Sequence, residues 1–358
     1  MPGVYIAYPF CAQKCTFCNF ASGVYPRDRE QRYLDVLTRE IRAHAWQWTP
    51  QTVYLGGGTP SNLDPAALAR LLSLVPGRPW AEATIEAAPG RLTPALAAAW
   101  VDAGIGRVSL GVQTFVEREI RRTGRRHTAE TVAREVEMLR AAGIGAINID
   151  LIAGLSGQTA ESWNASLDWI ARLAPEHVSV YMLEVDGDSR LGREMQAGGA
   201  RYGAAETPSD DLTADLYETA VERLAAMGIA RYEISNFARP GCESRHNLKY
   251  WRLEPYVGFG ADAHSYDGRL RRRNPESVED YLAGAAVETE PASAGERLFV
   301  GLRLLAGVRA TAGDLRRFAA PIRRFADLGL LENADGLLRL TARGVLLSNE
   351  VFQEFLIP

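Results

Sequence analysis

The segment Val4-Tyr5-Ile6-Ala7-Tyr8-Pro9-Phe10-Cys11-Ala12-Gln13-Lys14-Cys15-Thr16-Phe17-Cys18-Asn19-Phe20 opens with an apolar run and closes on a C-x3-C-x2-C loop. The run reads as a buried strand that Pro9 ends. Three thiolates on one tight loop can each hold a different iron of a cubane cluster. A [4Fe–4S] cluster normally takes four cysteines. The only other cysteine here, Cys242, is far away in the chain. Three ligands leave one iron open to a small molecule. Two plainer readings compete. A disulfide suits an oxidising compartment, and nothing in the chain resembles a secretory signal. A structural zinc site takes paired ligands from two knuckles, and only one knuckle is present.

Working outward, the first half repeats a short apolar strand followed by an amphipathic helix. Strands are expected at 4–7, 52–55, 83–87, 107–110, 146–151 and 177–183. Tyr33, Leu37, Ile41 and Ala45 recur every fourth residue and predict one apolar helix stripe. Asp64-Pro65 and Thr93-Pro94 have the form of an N-cap followed by proline at the first helical position. Gly104 and Gly143 stand where helices would end in a left-handed turn. Such alternation demands a parallel sheet with helices outside. About six units are too few for a closed eight-unit barrel. The fold class is therefore α/β, a partial (β/α)6 barrel of residues 1–190, open at one side.

Beyond residue 190 the pattern changes. Residues 209–227 predict a long helix, and a stretch containing glycine and proline runs over 238–268. The segment 191–290 is expected to complete the core. A small α+β unit of winged-helix type is expected over 291–358, with a hairpin around Asp335-Gly336.

The 358 residues carry a net charge of -4 and are 47% hydrophobic. That balance argues against general nucleic-acid affinity. No apolar run approaches the ~20 residues of a membrane helix, so a cytoplasmic protein not integral to a membrane is expected. The arginines of 121–126 and 269–273 read first as solvated faces, with anchorage of an acidic small molecule as the alternative.

Ligands of parallel α/β barrels bind at the carboxyl ends of the strands, and five motifs fall there. After the cysteine loop come Gly56-Gly57-Gly58-Thr59-Pro60, Glu86 in EAAPG, Gln113 in GVQTF and Asp150 in NIDLIAGL. Singly, the glycines can be a turn and the carboxylates helix caps. Together they form one rim. Glycines admit close backbone approach, Glu86 and Asp150 accept hydrogen bonds from an ammonium or ribose hydroxyls, and Gln113 donates and accepts. Arg125 can pair with a carboxylate. An amino acid joined to a nucleoside satisfies that set, and S-adenosylmethionine is such a molecule.

On the cysteine loop and GGGTP, the chain resembles the radical S-adenosylmethionine superfamily. From Tyr5 through the C-terminal unit it is similar to the anaerobic coproporphyrinogen III oxidase family. The stretch YEISNFARPGCESRHNLKYWRLEPYVGFGADAHS (232–265) and ERLFVGLRLLAGV resemble its haem-chaperone members. The resemblance implies that Cys11, Cys15 and Cys18 ligate a [4Fe–4S] cluster, with Tyr5 and Phe17 flanking it. It implies S-adenosylmethionine on Gly57, Gly58, Thr59, Glu86, Gln113, Arg125 and Asp150. His246-Asn247-Leu248-Lys249-Tyr250-Trp251 matches the family's H-N-x-x-Y-W motif, which implies haem on His246. The plain reading of His246 is a hydrogen-bonded structural histidine, and that of Cys242 a packing cysteine. Departures from the family are Ala7-Tyr8 for His-Ile, Asn19 for Asp, Ala88 for Asn and Ser156 for Pro. None removes a cluster ligand.

Two functions follow from the resemblance. The first is a carrier that binds haem and passes it to an acceptor protein, with a homodimer compatible. The alternative is an enzyme, oxygen-independent coproporphyrinogen III oxidase, which converts propionates to vinyls in porphyrin biosynthesis. The oxidase resembled here has a further cysteine where this chain has Phe20, and a longer N-terminal segment, so the carrier is expected.

Overall fold

A computed structural model describes residues 2–356. Six strands carry the core: β1 (Gly3–Tyr8), β2 (Thr52–Gly57), β3 (Glu82–Ala87), β4 (Arg107–Gln113), β5 (Ala146–Ala153) and β6 (His177–Met182). They lie side by side in chain order, each parallel to the next. Helices connect them. This is the expected partial (β/α)6 barrel.

Strand alternation divides the two faces of the sheet. Val4 and Ile6, Val53 and Leu55, Ile85, Val108 and Leu110, Ile147 and Ile149, and Val178 and Val180 are buried in the apolar core. The intervening residues Tyr5, Tyr54, Glu86, Ser109, Asn148, Asp150 and Ser179 are in register across neighbouring strands or bond one another inside the barrel. A parallel sheet covered on both faces usually reads as continuously apolar. Polar residues on its inner face are the mark of a lumen built to hold something.

The second half of the chain extends both edges of the sheet. It supplies β7 (Ala230–Arg231), β8 (Asn236–Ala238), β9 (Tyr256–Phe259), β10 (His264–Tyr266), β11 (Leu270–Arg273) and β12 (Glu288–Pro291). The sheet runs β12-β11-β10-β9-β1-β2-β3-β4-β5-β6-β8-β7. β9 joins β1 in parallel, whereas β8 meets β6 antiparallel. A separate sheet of β13 (Val308–Arg309), β14 (Leu331–Ala334) and β15 (Leu337–Leu340), ordered β13-β15-β14, packs with short helices into the C-terminal unit. That unit is docked on the core: Glu233 bridges to Leu304, the Leu305 amide donates to the Tyr232 carbonyl, and Arg271 pairs with Glu296.

The helix signals act as the sequence implies. Asp64 accepts from the Ala66 and Ala67 amides, Thr93 accepts from Leu96, and Gly143 caps its helix at φ 97°. Tyr33, Leu37 and Ile41 are fully buried. The helix Arg27–Ala43 stops before Ala45, however, and leaves that residue exposed. The apolar stripe is one turn shorter than its periodicity suggests, because the chain turns out at His44 into an extended conformation.

Candidate cofactor site

The cysteine loop follows β1 and is pinned from several sides. The Cys11 amide donates to the Gly23 carbonyl (2.8 Å), Thr16 bonds Thr123 and Arg122 backbone oxygens, and the Leu191 amide donates back to Thr16 (2.9 Å). Arg190 donates to the Lys14 carbonyl and Gln13 to that of Gly124. The glycines after β2 close the other side. The Gly58 amide donates to Tyr8 (2.8 Å) and that of Thr59 to Phe10 (3.0 Å). A Cβ on Gly58 would lie 2.7 Å from the Pro9 carbonyl carbon, so only glycine lets these two loops meet.

The three thiols fit a cluster by their chemistry. Burial pushes the Cys11 thiol up, hydroxyls of Thr59 and Ser22 offset that, and Cys18 and Cys15 are near enough to push it up again as thiolates. A cationic iron centre relieves that mutual repulsion. Among the described residues no three His, Cys, Asp or Glu side chains converge on one ion position. A cubane does not require that, since each thiolate binds a different iron.

The rim residues gather along the carboxyl ends of β2 to β5. Gly57 sits at φ 108°, and its amide donates to Glu86 Oε2 (3.1 Å) while the Tyr54 hydroxyl donates to Oε1 (2.9 Å). Burial above all, and Asp150 beside it, raise the Glu86 carboxyl to about 7, against the pull of those two donors. Asp150 accepts from Ser109 Oγ and from Asn148 Nδ2 (2.7 Å), and burial raises its carboxyl too. Gln113 lies at φ 73°, beside an irregularity in the β4–β5 register. A non-glycine residue held there is a strain that the surrounding structure must over-determine. Arg125 donates to the Gly111 carbonyl, and its buried Nε has no partner among the described residues. Arg125 is near enough to Asp150 to lower its carboxyl, and it is a cation at this rim that a ligand's carboxylate could pair with.

Tyr5 stacks with Tyr54, ring centroids 6.1 Å apart. Phe17 lines a small crevice with Arg122, Leu155, Leu191 and Tyr202. A larger cavity of about 490 Å³ opens at the cysteine loop, lined by Cys15 and Cys18 together with Lys14, Arg190, Arg193 and Asp188. Its basic residues were not singled out by the sequence, because 14 and 190–193 come together only in three dimensions.

His246 lies elsewhere. Its helix, Arg245–Trp251, packs at the amino ends of the strands. The His246 ring bonds Thr52, the first residue of β2, through Nδ1 (2.9 Å) and the Tyr250 hydroxyl through Nε2 (2.8 Å). Burial lowers its pKa to about 3, so the imidazole is neutral. Both nitrogens are engaged, and no ring atom faces open space: only 1% of the residue is exposed. The geometry is that of the structural histidine. An open haem ligand would need Tyr250 to withdraw. Cys242, half-buried before that helix, offers its carbonyl to Arg107.

A family model of the radical SAM superfamily matches residues 5–170, and one of the HemN C-terminal domain matches 289–347. Heme chaperone HemW of Bacillus subtilis is 34% identical, the alignment covering 99% of each chain. HemW of Mycobacterium tuberculosis is 36% identical over 99% of this chain and 94% of its own. HemW of Escherichia coli is 33% identical over 80% of this chain and 77% of its own. Among solved structures, coproporphyrinogen III oxidase (HemN) from Escherichia coli superimposes with a TM-score of 0.83 at 24% identity, covering 99% of this chain and 90% of that one. At that identity the likeness speaks for the fold alone.

Proposed function

The chain belongs to the heme chaperone HemW family of radical SAM proteins, and from that premise we propose that it binds haem and hands it to an acceptor protein. The relationship to HemW over 99% of both chains is the observation that carries this reading. In it, Cys11, Cys15 and Cys18 hold a [4Fe–4S] cluster, and Gly57, Gly58, Thr59, Glu86, Gln113, Arg125 and Asp150 hold S-adenosylmethionine, with Tyr5 and Phe17 flanking. Held by these three cysteines, such a cluster would supply one-electron redox chemistry toward S-adenosylmethionine.

The residues of this chain do the rest. Glu86 accepts hydrogen bonds from the ligand, and the Gly57 amide and the Tyr54 hydroxyl favour its charged form against the burial that raises it. Arg125 Nε meets a carboxylate. For haem, the cavity beside Cys15 and Cys18 is of ligand size, and Lys14, Arg190 and Arg193 outnumber Asp188 there. The excess of positive charge at that cavity, beyond the cluster that Cys15 and Cys18 would hold, suits the propionates of a planar dicarboxylate. Haem ligation by His246 instead requires release of Tyr250.

Anaerobic titration of cluster-loaded protein with haem tests both placements. Saturable binding of one haem is expected. Arg193→Glu should weaken it about tenfold through charge reversal, and haem dimethyl ester, which lacks the charges, should not respond to that change. Transfer to an apo-haem protein should follow. Failure of the wild type to bind or transfer haem, together with anaerobic formation of protoporphyrinogen from coproporphyrinogen, would reverse the reading in favour of the oxidase. If His246 is the ligand, Tyr250→Phe tightens haem and Arg193→Glu is silent.

A further inference from the structure

The H-N-x-x-Y-W helix sits at the opposite mouth of the barrel from the cysteine loop. Thr52, Glu82 and Arg107, which receive it or its flanks, are the first residues of β2, β3 and β4. Glycines 57 and 58, Glu86 and Gln113 stand at or near the other end of the same strands. Something must connect the motif to the rim if both serve one function, and a continuous line of contacts does.

It begins with the His246 ring, immobilised at both nitrogens. One face stacks on Tyr54 at 5.2 Å, with the planes only 28° apart. Tyr54 also stacks with Tyr5, and its hydroxyl donates to Glu86 Oε1. Tyr5, Tyr54 and Glu86 close together around Gly56, where a Cβ would lie 3.0 Å from Tyr5, Tyr54 and Glu86 Oε1 alike. Removal of the imidazole leaves the ring of Tyr54 without support on that side. A tyrosine ring so released can swing away from the carboxylate it serves.

We infer that His246 is a positioning residue of the cofactor site, bracing Tyr54 from the amino-end mouth of the barrel so that its hydroxyl stays on Glu86. The inference rests on the part of the proposed function that places S-adenosylmethionine at Glu86, and needs nothing of the haem part. Losing the Tyr54 bond removes a donor that favours the charged form of Glu86. The other groups facing Glu86 are the Gly57 amide, which favours the charge, and Asp150, which opposes it. Tyr5, Tyr181 and Tyr250 are neutral and held so by burial.

The test is equilibrium dialysis of S-adenosylmethionine against cluster-reconstituted protein between pH 6 and 9. The ligand's own amine titrates equally in every variant, so only differences between proteins count. Tyr54→Phe and His246→Ala should each move the midpoint of binding up by about one pH unit and weaken binding about tenfold at pH 7. The double variant should be no worse than Tyr54→Phe within about twofold, because both changes cut one chain of contacts. His246→Phe, which keeps the stacked ring, should recover most of the loss and covers the case in which His246→Ala fails to fold. An unchanged profile in a folded His246→Ala protein, or losses that multiply, would overturn the inference. A His246→Ala protein that loses haem but keeps the wild-type profile would make His246 a ligand instead. Wild-type protein that retains no S-adenosylmethionine at all would overturn the underlying reading, and the inference with it.

Discussion

Gly58 shows how a single atom decides whether two loops can form one site. An added Cβ would meet the Pro9 carbonyl carbon at 2.7 Å and Phe10 backbone atoms at 2.9 Å. Those atoms are backbone, which does not rotate away. Gly58→Ala should displace the 9–10 segment, cost about 2 kcal/mol and reduce iron incorporation, read as the iron-to-protein ratio and as the thermal midpoint. Gly106→Ala has no described residue within 4 Å of its new Cβ and should stay within about 0.5 kcal/mol of wild type. Equal iron content in the two variants would refute the steric account. At this scale the sequence showed the residues whose chemistry is intrinsic: the cysteines, Glu86, Gln113 and Asp150. It hid Tyr54, Ser109, Asn148 and Ser179, because their importance comes from facing or bonding those residues inside the barrel: Ser109 and Ser179 stand opposite Glu86 and Asp150 in register, while Tyr54 and Asn148 reach Glu86 and Asp150 by side-chain hydrogen bonds. It also hid that the ring of His246 would be bonded on both sides.

Among elements, the parallel strands were legible because each is a short apolar run between turn residues. The helix Arg245–Trp251 and strands β10 to β12 were not. The helix is only seven residues long, β11 reads Leu-Arg-Arg-Arg, and β12 is exposed along its length. Neither period nor burial marks them. What fixes the helix is a charge at its start. The Glu82 carboxylate accepts from the Arg245 amide (3.0 Å), the His246 amide (2.9 Å) and Ser244 Oγ (3.4 Å), with Arg107 at 3.8 Å. An anion at a helix N-terminus satisfies amides that have no partner within the helix. Glu82→Ala strands the buried Arg107 as well as those amides, and should cost about 3 kcal/mol in urea unfolding. Glu82→Gln, which keeps an acceptor, should cost less. A Glu82→Ala protein as stable as wild type would mean that the helix is held by its apolar contacts alone.

For the whole molecule, the barrel could be read from the sequence but the docking of the C-terminal unit could not. The contacts that dock it, Arg303 with Glu233 (3.4 Å) and Arg271 with Glu296, pair residues far apart in the chain and resemble any surface charges. The polar lumen has a consequence for stability that no single contact shows. Glu86 titrates at about 7 in the folded chain, against 4.5 as its ordinary value. A carboxyl raised on folding binds its proton more tightly in the native state, so stability falls as pH rises from the unfolded to the folded value, then levels off. The loss amounts to about 3 kcal/mol between pH 4.5 and 8. Three buried histidines act in the opposite direction. His246 is lowered to about 3, His127 to about 4 and His177 well below its ordinary value, all chiefly by burial. Each takes up a proton on unfolding, so stability falls as pH drops below about 6.5. Wild-type stability alone therefore blends the two trends. The difference between Glu86→Gln and wild type separates them, since the histidines cancel. In urea unfolding, the advantage of the variant should grow by about 3 kcal/mol from pH 4.5 to pH 8 and change little above that. On the proposed function the same variant should bind S-adenosylmethionine poorly, which would make the residue that destabilises the barrel the one that the proposed ligand needs. A pH-independent difference would show that Glu86 is not held at a raised value, and that the lumen is better hydrated than its packing implies.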